Sequence, residues 1–288
     1  MKNFLLITNP TKDPEMFYTK KIRNHILRRG GTCQCVESRE DIFAGPDGRL
    51  SNLDPMPDCV MSLGGDGTFV RAAGDLAAAE MYLPMIGVNM GTLGYLCEVE
   101  ESYAIPAVDR IMDDDVIIEK RLKLFGEIMR GDETVPIHTA VNDIVIYRSG
   151  LAQIIKFNLY VNGKFLCSYS ADGMVISTPT GSSAYNLSAG GPIVEPNARM
   201  ILMTAVSPQG LIFKSIVIGS EDEIMVEVLK RNSRSAGEEV NVTFDGDHMT
   251  PLYPGDILTV RRSREDLVIM QLNEQSFIER LHKKMVRK

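Results

Sequence analysis

No apolar run in this chain approaches the roughly 20 residues that a membrane-spanning helix needs. The first short run, Phe4 to Thr8, is too brief for the apolar core of a signal peptide, and Asn9-Pro10 stops it. Basic charge is in deficit: 31 Lys and Arg stand against 38 Asp and Glu, a formal net charge of −7. That balance argues against a binder of nucleic acid or anionic membrane, because both partners attract basic surfaces. It leaves room for a small anion held by a local site. Cysteine is sparse and odd in number. The five (Cys33, Cys35, Cys59, Cys97 and Cys167) contain no C-x-x-C, and Cys33-Gln-Cys35 has neither redox nor zinc-ribbon spacing. They read as small apolar residues in a reducing compartment. The four histidines, His25, His138, His248 and His282, form no metal spacing. No G-x-S-x-G marks a hydrolase nucleophile, and repeats and low-complexity segments are missing. The expectation is a cytoplasmic protein with no nucleic-acid partner and no membrane partner.

What is present suits two domains of ordinary size: 288 residues, 44% apolar and 24% charged. Residues 3–8 predict a buried strand. Residues 15–29 predict a helix, with Phe17, Ile22, Ile26 and Leu27 at helical spacing and Gly30-Gly31 as its stop. A second strand at 32–37, a loop at 44–57, a strand at Cys59–Leu63, a helix to about Ala79 and a strand at Pro84–Val88 follow. Strands alternating with helices predict an α/β domain with a doubly wound, Rossmann-like parallel sheet. Past residue 100 the pattern changes. A helix at 102–113 leads to strand candidates at Leu122–Met129, Thr139–Arg148, Ile154–Val161, Lys214–Ile218, Glu223–Val228, Asn241–Phe244 and Ile257–Arg262. Asn162-Gly163 is the strongest hairpin signal, since a type I′ turn needs positive φ at both central positions. This part reads as a β-rich, antiparallel, sandwich-like domain. Ser276 to Met285 returns to helix, with Phe277 and Leu281 on one face. Asp113-Asp114-Asp115 reads as a solvated turn, and the basic tail from Arg280 to Lys288 as a cationic helix end.

Four segments carry chemistry. Gly64-Gly65-Asp66-Gly67-Thr68 sits between a strand and a helix. Glycines there let a ligand approach the backbone, and free N–H groups at the helix start favour an anion. No lysine follows, so this is not a Walker A loop, nor is it G-x-G-x-x-G. A carboxylate beside bound phosphates is repelled unless it takes a proton or helps hold a metal; otherwise Asp66 is a helix cap in a tight turn. The second segment runs from Asp172-Gly173 through Thr178-Pro179-Thr180-Gly181-Ser182-Ser183-Ala184-Tyr185 to Ser188. Its hydroxyls and amides suit a nucleotide, and Tyr185 suits stacking on a purine, against the plainer reading of a Ser/Thr-rich loop with a core tyrosine. The third is Asn142-Asp143, where an amide can pair with an adenine edge and a carboxylate can accept from a ribose; on its own, an edge-strand or turn pair is the stronger reading, because Asn and Asp are depleted in strand interiors. The fourth, Asn89-x-Gly91-x-Leu93-Gly94-Tyr95-Leu96, follows a strand at the end where open α/β sheets bind ligands.

Together these segments resemble the NAD kinase family. The likeness spans most of the chain and includes Gly190-Gly191-Pro192 and Phe244-Asp245-Gly246. The glycine-Asp loop alone is shared with diacylglycerol and sphingosine kinases; Thr180-Gly181-Ser182-Ser183-Ala184-Tyr185-Asn186 is far more specific. The resemblance implies transfer of the γ-phosphate of ATP to the 2′-hydroxyl of the adenosine ribose of NAD. It implies Asp66 as general base. Gly64, Gly65, Gly67, Thr68 and Asn89 would lie at the phosphates, and Asn142 and Asp143 at the adenosine of NAD. Asp172 would lie near the nicotinamide end, and Thr180, Ser183, Ala184, Tyr185 and Ser188 would bind NAD as well. Mg²⁺ or another divalent metal would come on the ATP phosphates, with no metal ligand assigned to the protein. A homodimer or homotetramer is implied. So is an α/β domain of residues 1–100 completed by 266–288, with a β-rich domain at 101–265. Family members more often have Asn-Glu at Asn142-Asp143 and Thr at Ser183; both changes keep the chemical group. The alternatives are a lipid kinase of the diacylglycerol type and a non-catalytic dinucleotide sensor.

Overall fold

The computed structural model describes residues 1–38, 53–91, 94–97, 99–149, 154–210, 215–229, 239–273 and 276–286. Most of the expected 44–57 loop, Leu93, the start of the Lys214 strand and the last two tail residues lie outside them.

The chain forms two compact units, 1–120 with 267–288, and 121–266. The first contains β1 (Asn3–Thr8), α1 (Phe17–Arg28), β2 (Thr32–Glu37), β3 (Cys59–Gly64), α2 (Asp66–Ala78), β4 (Met85–Asn89), β5 (Val99–Glu100), α3 (Ala104–Met112) and β6 (Ile117–Arg121, its last residue in the second unit). The second contains β7 (Leu124–Arg130), β8 (Glu133–Ala140), β9 (Asp143–Ser149), β10 (Ile155–Val161), β11 (Lys164–Ala171), β12 (Gly173–Ser177) and the one-turn α4 (Tyr185–Ser188). It continues through β13 (Met200–Val206), β14 (Ser215–Gly219), β15 (Ile224–Val228), β16 (Glu239–Phe244), β17 (Asp247–Leu252) and β18 (Ile257–Arg262). The chain then returns to the first unit as β19 (Leu267–Gln271) and α5 (Phe277–Val286).

The first sheet has the order β2-β1-β3-β4-β19-β6, with β5 beside β4. Strands β1 to β5 pair in parallel, and β19 joins β4 the same way. Phe4, Leu6, Met61, Leu63 and Val88 face one side, where Ile22 and Ile26 of α1 and Ala104, Ala107, Val108 and Ile111 of α3 cover them. Leu5, Ile7 and Val60 point the other way and are equally buried, on the side of α2 with Phe69 and Leu76. Burial on both faces is why these strands are continuous apolar runs. Each buried Leu, Ile or Phe contributes about 1.5–3 kcal/mol. Because α3 packs on this core, helix 104–112 and β6 stay with the first unit rather than starting the second.

The second unit is a sandwich of two six-stranded antiparallel sheets, β11-β10-β15-β18-β7-β8 and β14-β13-β12-β9-β16-β17. Leu124, Phe157, Val226 and Leu258 of one share a core with Ile144, Ile176, Met203 and Phe244 of the other. Asn162-Gly163 makes the expected turn between β10 and β11, with φ of 50° and 71°. One expected element is corrected: Thr139–Arg148 is not one strand. The chain leaves β8 at Ala140 and enters β9 at Asp143, turning a corner at Val141-Asn142.

Candidate functional site

In the first unit, β1, β3 and β4 end side by side. Asn9 N–H donates to the Leu63 carbonyl at 2.8 Å, and Met90 N–H to the Gly64 carbonyl at 2.6 Å. A Cβ on Gly64 would stand 2.4 Å from Thr68 Oγ1, so only glycine lets α2 start this close to the strand. Gly65 and Gly67 have open space where a Cβ would be, which leaves the backbone at the helix start approachable. Thr68 is buried, and its hydroxyl accepts from the Asn9 side-chain amide at 3.0 Å.

Asp66 does not cap α2. Its half-buried carboxylate instead accepts from the main-chain N–H groups of Tyr95, Leu96 and Cys97, at 2.5, 3.1 and 3.0 Å. Gly94 packs against the same carboxylate, since a Cβ there would stand 1.7 Å from Oδ1. The structure thus brings two of the four sequence motifs together: the glycine-Asp loop holds the loop after β4. Asn89, buried at the end of β4, donates to the Gly91 carbonyl at 3.2 Å. Lys12, which the sequence reading passed over, places Nζ 3.3 Å from where a Cβ on Gly91 would be. A cation therefore does reach the loop, from the β1–α1 connection rather than from behind the glycines. The Asn9-Pro10-Thr11-Lys12 run after an apolar strand was the available signal.

In the second unit, an open pocket of about 460 Å³ is lined by Asn142, Asp143, Ala184, Tyr185, Thr243 and Asp245, among others. Four of these are sequence-predicted site residues, from two segments some 40 positions apart. The segments meet because the Thr178 hydroxyl donates to the Val141 carbonyl at 2.7 Å and Thr178 N–H to the Asn142 carbonyl at 2.8 Å. Gly181 seats against the same corner: a Cβ on it would lie 2.1 Å from the Asn142 oxygen. Tyr185 is 45% exposed, so it is not a core aromatic and its ring is available. Asn186 beside it is fully buried, accepting from Thr204 Oγ1 at 2.7 Å and donating to the Ser182 and Pro192 carbonyls.

The remaining expected residues stand apart from this lining. Asp172 pairs with Arg148 at 3.0 Å. Thr180 is buried, Ser183 donates to the Thr180 carbonyl at 3.4 Å, and Ser188 is exposed. Burial, and then the neighbouring Asp245, push the Asp143 carboxyl up to about 7. Burial also raises Asp245, to about 6, against the lowering effect of three main-chain N–H groups. No group of three or more His, Cys, Asp or Glu among the described residues is placed to hold a metal ion. Among those residues no helix is long and apolar enough to cross a membrane.

The sequence profile of the ATP-NAD kinase N-terminal domain matches residues 50–116, and that of the ATP-NAD kinase C-terminal domain residues 141–272. An NAD kinase of Agathobacter rectalis is 43% identical over 99% of both chains. The chain belongs to the NAD kinase family. An NAD kinase of Lachnospira eligens is 39% identical, over 99% of this chain and all of that one. Membership makes the chain an ATP-NAD kinase and sets aside the lipid kinase that shares only the glycine-Asp loop. The fold agrees with two solved structures. Yeast NADH kinase complexed with NADH has a TM-score of 0.85 at 20% identity, covering 100% of this chain and 88% of that one. An Archaeoglobus fulgidus NAD kinase in complex with ATP has a TM-score of 0.75 at 21% identity, covering 98% of each.

Proposed function

We propose that Asp66 is the general base of this NAD kinase and that the pocket at Asn142, Asp143, Ala184 and Tyr185 takes the adenosine part of NAD. The carrying observation is the state of the Asp66 carboxylate. A carboxylate has about four acceptor positions, and three main-chain donors occupy three of them. One position on Oδ2 is left for a substrate hydroxyl. In this reading the ribose 2′-hydroxyl gives its proton to Asp66 as its oxygen attacks the γ-phosphorus of ATP. The bond from that phosphorus to the bridging oxygen breaks, and ADP leaves with NADP as the product. Such a transfer needs positioning and charge neutralisation more than covalent help from the protein. Gly64, Gly65, Gly67 and Thr68 present main-chain and hydroxyl donors to phosphate, Asn89 shapes the adjoining loop, and Lys12 adds positive charge.

Mg²⁺ or another divalent metal carried on the ATP phosphates would supply further charge neutralisation there. Asp66, with three of its acceptor positions already taken, suits the proton better than the metal. Asp172, Thr180, Ser183 and Ser188 serve NAD binding outside the pocket lining in this reading. The family resemblance supports a cytoplasmic homodimer or homotetramer.

The test is an assay with ATP, Mg²⁺ and NAD, following NADP with an NADP-specific dehydrogenase. Asp66→Asn should lower turnover by about 10²-fold or more while NAD still binds. Normal turnover in Asp66→Asn would remove the base assignment, and a folded wild type that makes no NADP would point to the sensor.

A further inference from the structure

Asp245 has no role in the reading above, yet it holds the corner on which that reading depends. Between β8 and β9, Val141 and Asn142 lie outside the strand ladders, so their main-chain groups need other partners. Asp245 Oδ2 accepts from Val141 N–H at 2.7 Å, and Oδ1 accepts from Asn142 and Asp143 N–H at 2.7 and 3.1 Å. The Asp245 N–H donates back to the Asp143 carbonyl at 2.9 Å. On the other side, Thr178 holds the Val141 and Asn142 carbonyls. Every main-chain polar group of Val141 and Asn142 is therefore tied. Asp245 reaches the corner because it opens the tight turn between β16 and β17, with φ of 55° there and 79° at Gly246.

We propose that Asp245 is a positioning residue for NAD, fixing the backbone of Asn142 and Asp143 so that their side chains are set before the adenosine arrives. This rests on the assignment of Asn142 and Asp143 to NAD. Three of the carboxylate's roughly four acceptor positions are taken by the corner, and it is there, through its neighbours, that Asp245 acts. Loss of pre-organisation costs affinity for the ligand held there and leaves the phosphate chemistry of the first unit intact.

The experiment measures kcat and both KM values for Asp245→Gly, with Asn142→Ala in parallel. Glycine suits the positive φ of the turn and removes only the carboxylate. Asp245→Gly should raise KM for NAD about tenfold or more, with KM for ATP and kcat within about threefold. In the Asn142→Ala background the same change should add much less, because its effect runs through that residue. If Asn142→Ala raises KM for NAD and a folded Asp245→Gly does not, the inference is overturned. If neither moves it, the assignment of the pocket fails, and this inference with it. A parallel fall in kcat and in both affinities, with a lower melting temperature, would show a merely structural residue and also overturn the proposal. Should Asp245→Gly fail to fold, Asp245→Asn decides. It keeps the turn and one acceptor oxygen but sets an NH₂ against Val141 N–H, so a selective rise in KM for NAD is expected, and an unchanged KM rejects the idea.

Discussion

The carboxylate of Asp66 is held by three main-chain donors from one loop, so its position and the loop's are a single variable. Asp66→Asn alone therefore does not separate proton transfer from loop placement, because the amide replaces an acceptor with a donor. Gly94 offers the separation. Its φ is not positive, so alanine is tolerable to the backbone itself, but the new Cβ would stand 1.7 Å from Asp66 Oδ1. Either the loop or the carboxylate must move, and the ionisable group stays. A displacement of about 1 Å in a catalytic group can cost about 10²-fold in rate. Gly94→Ala should thus lose turnover on that scale, with a melting curve close to wild type. Steady-state kinetics beside a thermal melt checks this, and full activity would mean that the geometry at Asp66 does not set the rate.

At the scale of elements, the segment from the end of β12 through α4 has only two single helical turns, Thr180–Ser183 and Tyr185–Ser188, and its shape rests on Asn186. That amide is fully buried, spans the segment from Ser182 to Pro192 and ties it to Thr204 of β13. Gly191 gives it room, since a Cβ there would lie 2.2 Å from Asn186 Oδ1. Asn186→Ala strands buried polar partners at about 1–3 kcal/mol each and frees the backbone that carries Tyr185. The expected result is a lower melting temperature together with a raised KM for NAD. A stability loss with no change in that KM would uncouple the anchor from the pocket. Which elements the sequence revealed follows from what each one buries. β1, β3 and β4 are buried on both faces and read as apolar runs, and Asn162-Gly163 declared its own turn. β6 was missed because Ile117, Ile118 and Lys120 face solvent and leave no alternation, and β17 because its Asp and Pro oppose strand propensity. Asn142-Asp143 hinted at a turn by composition, but the break at Val141-Asn142 is settled by Asp245, about 100 positions away, which accepts from both main-chain N–H groups. The site divides the same way. Motif residues were legible, Phe244-Asp245-Gly246 among them, whereas what Asp245 holds and where Lys12 reaches depend on proximity that only folding creates.

For the whole molecule, the buried carboxyls of the second unit leave a signature in stability against pH. The Asp143 carboxyl, ordinarily near 3.8, is pushed up to about 7 in the folded chain, first by burial and then by Asp245. Asp245, raised to about 6, acts in the same direction. Between the unfolded and folded values the native state binds more protons than the unfolded chain, so stability falls as pH rises through that window. The cost is complete once the pH exceeds the folded values, above about 7 for Asp143. This is the reverse of a salt-bridged carboxylate, whose contribution is lost on acidification. Asp143→Asn places a neutral side chain of nearly the same size in the same site. The advantage of Asp143→Asn in melting temperature should widen by several degrees between pH 5 and pH 8, without substrates, since about 1 kcal/mol is worth a few degrees in a chain of this size. The measurement is the melting temperature of both proteins across that range, and parallel curves would show that Asp143 ionises in the folded protein as it does in the unfolded chain.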